Sequence, residues 1–167
     1  MTLKAVADGL LAAVTEAFDA AWLATNPAPG EKNPHPRRYV SDGGVLFDWT
    51  PLIAVEWDGT EPAFAGDGTE GGMSPAQIGG GFVHVRDLFS IHVTRVSPWP
   101  DEVGTPPQPR KIDASATVVH ADAELVLGAV LAHLASIPCT RADLLRQTPV
   151  GPDGGVVGSV TSVAVYR

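Results

Sequence analysis

Residues 82–97, FVHVRDLFSIHVTRVS, alternate between two kinds of side chain, and this alternation constrains the fold more than any other feature of the sequence. Val83, Val85, Phe89, Ile91 and Val93 fall on one face, and His84, Arg86, Ser90, His92 and Thr94 on the other. A period of two belongs to a strand with one buried face. Such a strand needs paired neighbours, and its apolar face needs a cover. Asp87 falls among the apolar set, which predicts a bulge there or two successive strands.

Two further stretches supply neighbours. In residues 52–58 (LIAVEWD), Ile53, Val55 and Trp57 alternate with Ala54 and Glu56. Residues 156–166 form a valine-dense run behind the turn sequence Gly151-Pro152-Asp153-Gly154-Gly155. Chain ends fray unless something ties them down, so this run is expected to be held in the sheet. VLF at 45–47 reads as a short strand of its own.

The cover comes from two helical segments. Across residues 2–24, Leu3, Val6, Leu10, Val14, Ala17, Phe18 and Ala21 recur at steps of three and four. Thr2 is placed to cap the start, and Asn26-Pro27 ends the segment because a residue before proline leaves the helical region. Residues 114–136 form the second helix, with a buried stripe of Leu127, Val130, Leu131 and Leu134 backed by Val119 and Ala123. Pro138 ends it. Thr140 to Asp143 reads as a capping box that opens one short helical turn through Arg146.

Glycine (18) and proline (15) make up roughly a fifth of the chain, above ordinary usage, and they concentrate between these elements. Residues 26–44, 59–81 and 98–112 read as loops. The length suits one domain over residues 1–167, and no internal repeat is visible. The expected class is α+β: a small, mainly antiparallel sheet with two main helices packed on one face and long Pro/Gly-rich loops.

Charge and chemistry narrow the function. With 19 acidic and 11 basic side chains the formal charge is −8, which disfavours gripping nucleic acid and leaves open a smooth acidic wall past which DNA slides. No uninterrupted apolar run of 18 residues is seen, so no transmembrane helix is expected. Asp8, Glu16 and Asp19 break any signal-peptide pattern near the start. The lone Cys139 excludes an internal disulfide and reads as a small buried hydrophobe.

Gly66 to Gly71 fits G-x-G-x-x-G in letters. However, Glu61-Pro62 before it and Met73-Ser74-Pro75 after it are not the strand and helix that a dinucleotide site needs. Of the five histidines, His35, His84, His92, His120 and His133, no two stand four apart. His84 and His92 share a strand face but lie roughly 26 Å apart along a straight strand. Glu56 and Asp87 could pair as acid and base, but nothing in their spacing selects them. No catalytic, cofactor-binding or metal-ligating residue is therefore assigned, and the chain does not read as an enzyme. Lys32, Arg37 and Arg38 form the densest basic spot, either a solvated loop or an arm that docks on a neighbouring acidic subunit. Trp99, in Ser-Pro-Trp-Pro, reads as an interface anchor or as a lid on the core.

The element order, together with "PLIAVEWDG", "FSIHVTRVSPWP", "ELVLGAVLAHLASI" and the closing "TPVGPDGGVVGSVTSVAVYR", resembles the tail-terminator and head-to-tail connector (neck) proteins of long-tailed, non-contractile bacteriophages of actinobacteria. The resemblance spans most of the chain as element order and is residue-specific in the last twenty positions. It departs in the Pro-rich insertions 26–44 and 98–112. It implies a structural subunit of the virion neck, assembled in the host cytoplasm, which forms a hexameric homo-oligomeric ring. The ring caps the tail tube and stops its growth. Its implied partners are the major tail tube protein and a head-completion or connector protein, with DNA passing through the lumen without specific binding. No cofactor, metal or membrane is implied. Two other readings stand beside it: a connector between portal and tail, and a small hydrolase or ligand-binding domain using His84, His92 and Asp87.

Overall fold

The computed structural model of the chain describes residues 2–35, 37–41, 51–62, 85–97, 109–139, 141–153 and 155–166. The elements are α1 (Leu3–Ala24), β1 (Arg37–Ser41), β2 (Leu52–Pro62), β3 (Val85–Val96), α2 (Pro109–Leu134), β4 (Arg141–Asp153) and β5 (Val156–Tyr166). The strands form one sheet in the order β1-β2-β3-β5-β4. β1 runs parallel to β2, and every other pairing is antiparallel. This is the expected α+β class.

Strand parity sorts the side chains. Ile53 and Val55 of β2, Phe89, Ile91 and Val93 of β3, and Val163 and Val165 of β5 share one face and are buried. Both helices cover that face. α1 contributes Val6, Ala7, Leu10, Val14 and Phe18, and α2 contributes Val126, Val130 and Leu134 to the same cluster. Burying a side chain of this size stabilises by roughly 1.5–3 kcal/mol. Thr2 caps α1, its Oγ1 accepting from the Ala5 N–H at 3.2 Å. Beyond the last turn, Asn26 takes a left-handed φ of 52°, a conformation that asparagine tolerates and that stops the helix before Pro27.

Several expectations are corrected. β1 lies inside the segment read as loop 26–44. β2 continues four residues past Asp58, into the segment read as loop 59–81. α2 begins at Pro109, inside the segment read as loop 98–112. The buried stripe of α2 is Ser115, Val119, Asp122, Val126, Val130 and Leu134, while Leu131 is 49% exposed. Steps of four from Val126 lead through Val130 to Leu134 and turn Leu131 away. The capping box at Thr140 opens no helix, because residues 141–153 are β4. Around Asp87 there is one strand, and the register shift sits opposite, in β2 between Trp57 and Gly59. Asp87 is buried there and accepts a hydrogen bond from Thr60 Oγ1 at 2.5 Å.

Ser115–Leu134 of α2 is also long and apolar enough, by length and composition, to cross a membrane, with a mean hydropathy of 1.4. Asp122 and Glu124 interrupt it, so it is not the uninterrupted apolar run that the sequence was searched for. Its buried stripe packs in the cluster with α1 and the sheet.

Two glycines are set by close approach. A Cβ on Gly158 of β5 would stand 2.0 Å from the Val93 carbonyl oxygen. One on Gly9 of α1 would stand 2.6 Å from the end of the His133 ring of α2, so the bare glycine leaves room for that imidazole between the helices.

Candidate functional site

Of the titratable side chains flagged by the sequence, His92 and Glu56 meet, and Asp87 does not join them. His92 lies on the sheet face away from the helices, buried, with Nε2 3.4 Å from Glu56 Oε2. Burial holds its pKa below the ordinary value, and the nearby Glu56 and Asp58 carboxylates oppose that shift. Beside it the Ser90 hydroxyl donates to Asp58 at 2.6 Å. Asp87 sits on the opposite, helix-covered face, as the parity of β3 requires. Glu56 and Asp87 therefore cannot act as a pair, and His92 and Asp87 cannot share a substrate. Ser90 is bonded to Asp58 instead of to an imidazole, so these residues form no nucleophile–base arrangement.

His120 is exposed, His133 is half-buried against Gly9, and Cys139 is half-buried beside the core cluster. Among the described residues no group of three or more His, Cys, Asp or Glu could hold a metal ion. His84, the glycine-rich 66–71, residues 45–47 and Trp99 lie outside the described residues.

The basic spot divides. Arg38 is turned inward on its own helix. It donates from both terminal nitrogens to Asp19, at 2.7 and 2.6 Å, and from Nε to the His35 carbonyl at 3.3 Å. Asp19 also accepts from Asn33 Nδ2 at 3.0 Å. Its carboxyl is held below the usual range, chiefly by the hydrogen bonds from Arg38. Asn33 and Arg38 are thus both held on the second half of α1 through Asp19, while Lys32 and Arg37 are exposed.

What remains are the two edges of the sheet. At the β1 edge, Leu3, Lys4 and Ala7 of α1 with Val40, Ser41 and Trp57 line an apolar pocket of about 380 Å³. Trp57 is 38% exposed there. At the other edge β4 carries two adjacent exposed leucines, Leu144 at 39% and Leu145 at 48%. They sit at a register shift between Leu144 and Arg146. The second half of β4 is guarded by Pro149 and by another shift between Val150 and Asp153, features that blunt an edge against pairing. Its first half is stiffened by Arg141, which bonds Asp143 at 2.8 Å and lies 5.2 Å from the Tyr166 ring centre. The open apolar part of this edge is therefore short and local.

Sequence reading missed this edge because it took 140–146 for a helical turn. The signal was present. A Gly-Pro-Asp-Gly-Gly turn before a strand is half of a hairpin, and the run before the turn is then its other strand. No family model matches the chain, and no curated protein matches it.

Proposed function

We propose that this chain is a structural subunit of a phage neck, most specifically the tail terminator, which assembles head to tail into a ring on the end of the tail tube. The observation that carries the reading is the difference between the sheet edges. One bears an apolar pocket around Trp57, the other a pair of exposed leucines. A protrusion on one edge and a complementary pocket on the opposite edge make a heterologous contact, and such a contact closes into a ring when the rotation is right. Trp57 is the kind of side chain that anchors an interface. The charge of −8 fits a lumen through which DNA passes without being gripped.

The separation of His92 from Asp87 on opposite faces counts against the hydrolase reading. A connector between portal and tail would use the same edges, and the genetic phenotype separates the two: loss of a terminator gives overlong tails, loss of a connector gives leaking heads with tails of normal length. The direct test is sedimentation of the purified chain, alone and with tail tube protein. A ring in either condition supports the reading. A strict monomer that ignores the tube protein overturns it.

A further inference from the structure

We propose that the sheet face away from the helices carries a site for a free α-amino acid with an aliphatic side chain, its ammonium group taken by Asp58 and its carboxylate by Arg146. The proposal does not rest on ring formation.

Four strands contribute one residue each to a row across that face. The register sets Glu56 of β2 beside Ser90 of β3, Ser90 beside Ser162 of β5, and Ser162 beside Arg146 of β4. Val55, Phe89 and Val163, next to them in sequence, belong to the helix-covered core, so strand parity puts the row on the other face. The two outer strands of the row are both irregular at this level. The register slips between Trp57 and Gly59 in β2 and between Leu144 and Arg146 in β4, which leaves Asp58 and Leu145 as the extra residues. Bulges re-aim side chains and are over-represented beside sites. Here both extra residues border the same pocket, together with Leu88, Ser162 and Arg146. Its volume of about 350 Å³ lies within the range of small-molecule sites, ~300–1,000 Å³.

One end of the row is acidic and the other basic. Ser90 Oγ donates to Asp58 Oδ2 at 2.6 Å, which lays the carboxylate over β3. A carboxylate accepts several hydrogen bonds, and Asp58 and Arg146 are both exposed. Ser90 and Arg146 stand two strand spacings apart, about 10 Å between backbones. Charge-assisted bonds of about 2.8 Å at each end leave a span that the ammonium and carboxylate of one α-amino acid fill. Ser162 lies between, with a hydroxyl that serves as donor or acceptor. A lone cation would meet Arg146, and a lone anion would meet Asp58 and Glu56. A zwitterion meets an opposite charge at each end. Leu88 and Leu145 offer apolar surface to an aliphatic side chain.

Leucine is the probe. Leucinamide, which lacks the carboxylate, and isocaproate, which lacks the ammonium group, are the comparators. Each is titrated calorimetrically into the full chain at about 0.15 M salt, which screens unspecific attraction to surface charge. Wild type is expected to bind leucine roughly five- to tenfold more tightly than either comparator, between the worth of an exposed ion pair and that of a charge-assisted hydrogen bond. Arg146→Gln should abolish only the preference over leucinamide, and Asp58→Asn only the preference over isocaproate. Arg146 is exposed and on an edge strand, so its substitution is expected to leave the fold intact and covers the case in which Asp58→Asn fails to fold. The absence of saturable leucine binding by wild type overturns the proposal. So does a preference over leucinamide that Arg146→Gln leaves unchanged, which would place the ligand elsewhere on the chain.

Discussion

Arg95 on β3 donates two hydrogen bonds to the carboxylate of Asp122 on α2, at 2.7 and 2.5 Å, and so ties the second helix to the centre of the sheet. Asp122 is 4% exposed, and burial raises its carboxyl above the ordinary value against the pull of Arg95. Breaking a fully buried pair leaves an uncompensated charge and costs about 3–5 kcal/mol; with Arg95 a quarter exposed, the lower end, about 3 kcal/mol, is the upper bound here. Arg95→Ala is expected to lower the unfolding free energy by up to that amount in urea. Arg95→Met with Asp122→Leu should recover most of the loss, because a well-packed apolar pair often replaces a buried ion pair at little cost.

His35 gives the stability a pH dependence. Its pKa is pushed from 6.5 to about 3, first by burial and then by Arg95 and Arg38. With the folded value below the unfolded one, the unfolded chain takes up the proton first as pH falls. The contribution is complete above pH 6.5 and is lost on the way down to about 3, at no more than about 1.4 kcal/mol per pH unit. Asp122 acts in the opposite sense. Its raised carboxyl contributes stability below its ordinary value of 3.8, lost as pH rises through the folded pKa. Comparing His35→Phe with wild type isolates the histidine. The variant should lose the slope between pH 6.5 and 4 in urea unfolding, and an identical slope would remove His35 from the account.

The His133 ring occupies the space that Gly9 leaves between the helices. Gly9→Ala brings a methyl to 2.6 Å from the end of the imidazole, which must swing aside, and the expected cost is about 1 kcal/mol, at the low end of overpacking. Adding His133→Ala should return most of that loss, and the coupling in a double-mutant cycle measures the contact. Additive single effects would mean that the helices adjust without touching.

Much of this fold was legible because its pattern is periodic. Leu10, Val14 and Phe18 announce the buried face of α1, and the alternation through Phe89, Ile91 and Val93 announces β3. β1 was hidden because Arg-Arg-Tyr-Val-Ser is short, polar at its start and follows prolines, and only pairing with β2 makes it a strand. β4 was hidden because its apolar side chains face the helices only in part. Ala142 packs on the core, Gln147 bonds the Ala123 carbonyl, and Leu144 and Leu145 stay exposed. Tertiary pairing overrode the local capping signal. The interaction edges were illegible for the same reason, since the pocket around Trp57 is assembled from α1, β1 and β2 and no one stretch of sequence contains it.

The central claim is that the two edges bind each other between copies. Trp57→Ala should empty the anchor of one edge, and Leu145→Asp should spoil the other, each lowering self-association at least tenfold with the far-ultraviolet spectrum unchanged. Each variant still carries one intact half of the contact.

Mixing the two variants in equal amounts and recording native mass spectra tests the account most directly. The expected result is a wild-type ring, two monomeric variants, and a one-to-one heterodimer on mixing that grows no further. Variants that assemble like wild type, or a mixture that stays monomeric while wild type forms rings, would contradict it.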